Sequence, residues 1–253
     1  MTHLKEIFSQ FVSPFLLNAN EKERPDIQLK IDHSFDVFEN SLNICKSLSL
    51  PAELVETARI AALYHDTGRF PQYSEYRTFK DSESCNHGTL GARTVLKYKL
   101  LNDLPKKQRN IILGAIALHN RSALPSFLSD ELRICTEIVR DSDKIDIIKV
   151  LIPHLTGVES GNEVPLMGLE ERPGEITPAV LQAVKEGRQG AYQAMKCLND
   201  FRLLLLSWAY DLNFEWSRKE MIKRGYVETL MGQLPDTDQI HALRNPIMEQ
   251  LNS

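Results

Sequence analysis

Cysteine is sparse and unpatterned in this chain: Cys45, Cys85, Cys135 and Cys197 are scattered, with no C-x-x-C pair. That argues against a zinc ribbon or a disulfide framework and predicts separate buried thiols in a reducing compartment. Long apolar runs are missing as well. The longest, Leu203 to Leu206 extending to Trp208 and Tyr210, falls far below the ~20 residues of a membrane span. The opening segment MTHLKEIFSQFVSPFLLNANEKERP has neither the basic region nor the small-residue cleavage site of a secretory signal. A cytoplasmic protein with no membrane partner is the expectation. Positive charge is not in excess either: a net charge of −4 argues against a protein that wraps duplex nucleic acid. No alternating strand pattern, internal repeat or low-complexity tract occurs, and no serine or cysteine stands in a recognisable nucleophile motif.

What remains is ordinary globular composition, 42% hydrophobic and 25% charged over 253 residues, enough to bury a sizeable core. Nearly every periodic segment reads as helix. From Ile31, apolar residues fall at Phe35, Phe38, Leu42 and Cys45; a second helix follows Pro51 through LVETARIAALYHD. His87 to Leu100 forms a third, with Leu90, Val95 and Leu96 inward. PKKQRNIILGAIALH forms a fourth, with Pro105 in its first turn. Ser129 caps a fifth from about Asp130 to Leu151. Residues 153–178 are rich in Gly, Pro and acids and carry no period, so they read as a loop or boundary. Helical patterning resumes from Ala179 to about Arg224. The organisation expected is a helical domain over 1–155 and a C-terminal helical extension over 156–253, packed on the same core.

Six residues stand out from this background: His33, His65-Asp66, His87, His119 and Asp143. All are types that bind transition metals, and there are enough for two ions sharing a carboxylate. On the fourth helix Gln108, Ile112, Ala115, Ile116 and His119 share one stripe, so the histidine continues a buried face. On the fifth, Leu132, Thr136, Val139, Asp143 and Asp146 do the same, and a buried carboxylate is costly unless it is paired or binds a metal. His65 and Asp66 end their helix before Thr67-Gly68, His33 sits in a first turn and His87 follows Asn86 at a helix start. Helix ends let several ligands converge without a polar core. Each residue has an ordinary account alone; as a set they predict metal binding, with Asp146 as a candidate to orient a ligand. His3, His154 and His241 fit no such constellation and are expected at the surface, and Trp208 and Trp216 in the core.

With the pair in the context AALYHDTGR and the last aspartate in DSDKID, the pattern H…HD…H…H…D resembles the HD superfamily of metal-dependent phosphohydrolases over roughly residues 25 to 155. The resemblance implies an all-α HD-domain helical bundle. It implies one ion held by His33, His65, Asp66 and Asp143, and a second held by His87 and His119 with Asp66 bridging. The acidic pair that follows the motif in alarmone hydrolases is replaced here by Thr67-Gly68-Arg69, and no GYP triad follows. Neither alarmone nor cyclic-di-GMP hydrolysis is therefore expected.

Imidazole and carboxylate ligands without thiolate suit two divalent ions among Mn, Fe, Co, Ni and Zn. Two such ions ~3.5–4 Å apart clamp the entering and leaving oxygens of a phosphoryl displacement, and a metal-bridging hydroxide is the nucleophile. The expected activity is thus a phosphomonoesterase or phosphodiesterase acting on a small phosphorylated metabolite, with a nucleotide the leading candidate. Asp66 and Arg69 are the expected catalytic residues. Arg69, Arg121, Arg77 and Lys80 are expected to bind phosphate, and Tyr73, like Tyr76, to stack on a base; most of these lie in the segment TGRFPQYSEYRTFKDSESCN, which leaves the site and returns to it. Two alternatives share the ligand set: a di-iron HD-type oxygenase, and a metal-stabilised regulatory module without turnover.

Overall fold

The structure, a computed structural model, describes residues 2–157, 166 and 168–253. Among them every regular element is helical, so the all-α expectation holds. In chain order the α-helices are α1 (Thr2–Asn18), α2 (Arg24–Lys46), α3 (Ala52–Tyr64), α4 (Arg69–Tyr76), α5 (His87–Lys97), α6 (Lys106–Leu118), α7 (Asp130–Leu155), α8 (Pro178–Lys185), α9 (Leu198–Ser207), α10 (Glu215–Lys223), α11 (Tyr226–Met231), α12 (Asp238–His241) and α13 (Arg244–Asn252). The chain groups into two compact units, Met1–Asp146 and Ile147–Ser253, and the division falls inside α7. The Gly- and Pro-rich stretch expected to be a loop starts later: residues 153–155 still belong to α7, and 158–165 and 167 lie outside the described residues.

In the first unit, α2 begins at Arg24 rather than near Ile31, because Pro25 pre-sets the first turn and Asp26 sits favourably at its N-terminus. His33 therefore stands well inside the helix. Ser34 and Ser41 are fully buried on α2, their hydroxyls folded back onto the carbonyls of Lys30 and Phe38 at 2.9 and 2.6 Å. Those bonds satisfy both buried hydroxyls within the helix itself. α3 brings Ala58, Ala61 and Ala62 to the core, all fully buried. Pro105 lies just before the first helical residue of α6, as its N-cap.

α1 packs behind these helices through phenylalanines. Phe8 meets Phe35, Tyr64 and Phe70 edge-on at centroid distances of 5.6, 5.5 and 6.1 Å, a favoured aromatic geometry. The Tyr64 hydroxyl donates to the Leu4 carbonyl at 2.9 Å.

Two local expectations fail. The segment after the HD pair is not simply a loop, since α4 forms within it. And Leu96 points outward, 62% exposed, while α5 buries His87, Gly88, Gly91, Thr94 and Val95. Glycine explains the second failure. A Cβ on Gly68 would sit 2.6 Å from the Gly91 amide nitrogen and closer still to the His87 carbonyl, and one on Gly88 would sit 2.9 Å from the Ile116 carbonyl. The inward face of α5 is thus a backbone contact, invisible to a count of apolar side chains.

In the second unit α9 is buried along its whole length. The continuous pattern expected from Ala179 to Arg224 is divided into α8, α9 and α10. Gly187 and Gly225 take positive φ of 67° and 66°, which ends helices readily, and Cys197 is extended before α9. Buried Asp200 accepts from the Thr177 amide and hydroxyl, both at 2.7 Å, and from the Lys196 amide at 2.8 Å, tying the start of α8 to α9. Trp208 is in the core, as expected, whereas Trp216 is only half-buried.

Candidate metal centre

Five segments of the first unit converge on one point. His65 and Asp66 follow the last residue of α3, and Thr67 turns the chain by placing its hydroxyl on the Tyr64 carbonyl at 2.6 Å. His87 opens α5, where Asn86 caps the helix by accepting from the Thr89 amide at 2.8 Å. His119 closes α6. His33 and Asp143 instead come from the interiors of α2 and α7, so convergence combines three helix ends with two helix faces. The histidines and Asp66 are buried, whereas the Asp143 side chain keeps 18% of its surface and marks the open side.

Each imidazole is held from outside through Nδ1. His65 Nδ1 bonds the Ala62 carbonyl and His119 Nδ1 the Ile116 carbonyl, both at 2.7 Å. His33 Nδ1 meets Asp146 Oδ2 at 2.6 Å, and His87 Nδ1 meets both oxygens of Asp81 at 2.8 and 2.7 Å. Acceptors at all four Nδ1 atoms place the proton there and turn every Nε2 inward. Asp146, expected to orient a ligand, does so for His33.

The inward nitrogens form two pairs on either side of Asp66. His33 and His65 have their Nε2 atoms 3.3 Å apart, each 3.8 Å from Asp66 Oδ2. His87 and His119 have theirs 3.1 Å apart, at 3.5 and 3.9 Å from Asp66 Oδ1. Asp143 Oδ1 joins the first pair, 3.0 Å from His33 and 3.6 Å from His65. Ligand atoms of His33, His65 and Asp143 all lie within 4.8 Å of one another, as do those of His65, Asp66 and His119.

Electrostatics set most of these groups in their ligating forms. Burial pushes Asp66 toward its acid form, but Lys30, His65, Arg69 and His87 overcome it and hold the carboxyl well below the usual range. Asp143 is likewise held down against burial by hydrogen bonds to His33 and His65. Burial, reinforced by His87 and His65, pushes His119 down to about 3, and burial with Arg69 lowers His87. His33 goes the other way: against burial, Asp143 and Asp146 raise it to about 9. The donor set fits a divalent transition metal. Neutral His87 and His119 with protons on Nδ1 present two lone pairs to each other at 3.1 Å, an arrangement that a shared cation turns from repulsive to attractive.

Arg69 is the one expected phosphate ligand that the structure brings beside the cluster. Its Nε lies 3.4 Å from Asp66 Oδ1, and its Nη1 donates to the Phe79 carbonyl, to Gln72 at 3.0 Å and to Asp81 at 3.1 Å. Arg121 is exposed two residues past His119, with its carbonyl accepting from Arg140. Arg77 pairs with Glu23 at 2.9 Å and Lys80 with Glu83 at 3.0 Å, both near the surface. Tyr73 is buried; its ring stacks on Phe79 at 4.6 Å and its hydroxyl donates to Asp26 at 2.8 Å. His3 and His241 are surface residues paired with Asp103 and Asp236.

The structure adds Asp81 and Lys30 to the residues expected from the sequence. Asp81 collects His87, Arg69, Gln72 and Asn120; against burial, His87, Arg69 and Gln72 hold it down to about 2. Lys30 donates to Asp66 Oδ2 at 2.9 Å. Its place one helical turn before His33 was a usable clue, because residues three apart share a helix face. Asp81 offered none, opening a single 3-10 turn, Asp81–Glu83, too short to carry a period.

A buried helical cluster of imidazoles and carboxylates has the donor atoms to hold a metal ion. The family model of the HD domain matches residues 31–222, and the chain belongs to the HD domain family. The match runs past residue 155, where the resemblance in sequence ended. No curated protein and no solved structure matches the chain.

Proposed function

We propose that this protein is a phosphohydrolase that binds two divalent transition-metal ions and cleaves phosphate from a small phosphorylated metabolite, with nucleotides the first class to test. The observation that carries the reading is Asp66: one of its oxygens faces His33 and His65 and the other faces His87 and His119, the disposition of a carboxylate shared by two ions. His33, His65 and Asp143 would complete one position, and His87 and His119 the other. When bound, the ions supply Lewis acidity toward phosphate oxygens and make a water at the site more acidic.

The chain's own residues account for the remaining work. Asp146, Asp81 and two main-chain carbonyls fix the imidazole rings, so no reorganisation is required during turnover. Arg69, anchored through Nη1, holds a permanent positive charge beside Asp66 that would attract phosphate oxygens. Asp143, at the open side, marks where substrate would enter. Tyr73, Arg77, Lys80 and Arg121 would contribute only on the periphery of bound substrate.

The test is phosphate release from a panel of nucleotides and sugar phosphates by protein loaded in turn with Mn, Fe, Co, Ni and Zn. Release with at least one metal, abolished by chelation, is expected. No release, together with oxygen consumption by the iron-loaded protein, would favour the di-iron oxygenase. Tight metal binding with neither activity would favour a regulatory module.

A further inference from the structure

Lys30 and Arg69 approach Asp66 from its two ends. Lys30 Nζ is 2.9 Å from Oδ2 and Arg69 Nε is 3.4 Å from Oδ1. Both cations lie over the Phe79 ring, 5.6 and 6.0 Å from its centroid, and both retain some solvent access, 18% and 16%. Their tethering differs. Arg69 is tied through Nη1 to Phe79, Gln72 and Asp81. Lys30 holds Asp66 through the end of a flexible four-carbon stem, and its oxygen, Oδ2, is the one that faces His33 and His65.

We propose that Lys30 is a displaceable counter-ion: it neutralises Asp66 until a divalent cation binds at His33, His65 and Asp143, and then turns to the phosphate of the substrate. A divalent ion on Oδ2 withdraws the charge that holds the ammonium and repels it across a poorly solvated gap. The stem can swing by rotamer changes alone, and the ammonium is a compact point charge with three donors. Released beside anchored Arg69, it completes a pair of cations matched to a dianionic terminal phosphate, so phosphomonoesters are the substrate class favoured over monoanionic diesters. The second half of this inference rests on the phosphohydrolase reading; the first half does not.

Lys30→Met keeps the apolar stem and removes the charge. Calorimetric titration with Mn²⁺ should show affinity tighter by roughly tenfold, the scale of one charge-assisted hydrogen bond relieved of competition, while Lys30→Arg stays near wild type. Unchanged or weaker affinity in Lys30→Met would overturn the counter-ion role and make the lysine a support for Asp66. In Mn-loaded protein, Lys30→Met should weaken inorganic phosphate binding and raise KM for a phosphomonoester about tenfold with kcat little changed; unchanged phosphate affinity would overturn the substrate role. A crystal of Mn-loaded wild type soaked in phosphate decides the same question without a variant: Lys30 on the phosphate supports the switch, and Lys30 still on Asp66 Oδ2 refutes it. If wild type hydrolyses no phosphate ester but Mn²⁺ affinity still depends on Lys30, the hydrolase reading fails and the counter-ion stands.

Discussion

Asp66 is the residue on which the dinuclear reading turns, because each of its oxygens serves a different imidazole pair. Asp66→Ala should therefore abolish both metal equivalents rather than one, with helicity retained by circular dichroism; elemental analysis that still finds two metals per chain would overturn the shared-carboxylate assignment. Asp81 acts one step out. It accepts from the His87 ring and amide and from Arg69, so Asp81→Asn keeps the shape but loses the charge that orients the imidazole. Affinity at the His87–His119 position should fall by about 10–100-fold, with the His33–His65–Asp143 position spared. A uniform loss at both positions in a two-site titration would instead mark Asp81 as a support for the whole cluster.

Helix elements matter here through how closely their backbones approach. The turn that carries His65 and Asp66 touches the start of α5 at Gly68 and Gly91, and α5 begins with His87. Gly68→Ala inserts a methyl group against backbone that cannot rotate away. The expected cost is about 3 kcal/mol, at the upper end of overpacking, or a Tm lower by about 6–12 °C for a chain of this size. Because α5 must shift, the same substitution should weaken metal binding at His87. A stable Gly68→Ala protein with unchanged metal affinity would show that the contact relaxes without moving the histidine.

For the molecule as a whole, a ligand that binds only the folded state adds stability by mass action. Each metal present at about a hundred times its Kd contributes roughly 2.7 kcal/mol, so chelating both ions should lower Tm by about 11–22 °C, reversed on adding metal back. An unchanged Tm after elemental analysis confirms metal removal would mean that the cluster is held by the fold alone. All six candidate ligands fall within the unit Met1–Asp146, so hydrogen exchange should report the loss of protection there, around α2, α3, α5 and α6. Among the described residues no helix is long and apolar enough to cross a membrane.

Residue type and helical period by themselves make the chain all-α and mark out the six candidate ligands. The α6 stripe from Gln108 to His119 is buried as its period requires, and helix caps at Asn86 and Ser129 act as their side-chain chemistry predicts. Such features are local, and the information lies within a few residues. Partners far apart in sequence were decided only by the tertiary structure. His33 and Asp146 are 113 positions apart, and Lys30 and Asp66 are 36 apart. The outward turn of Leu96 and the interruption of the pattern after Ala179 depend on glycine, whose contribution is a missing side chain. Periodicity registers the side chains a helix buries; where backbone packs on backbone, or a carboxylate in a short 3-10 turn such as Asp81 reaches back onto a ring, only the assembled structure shows it.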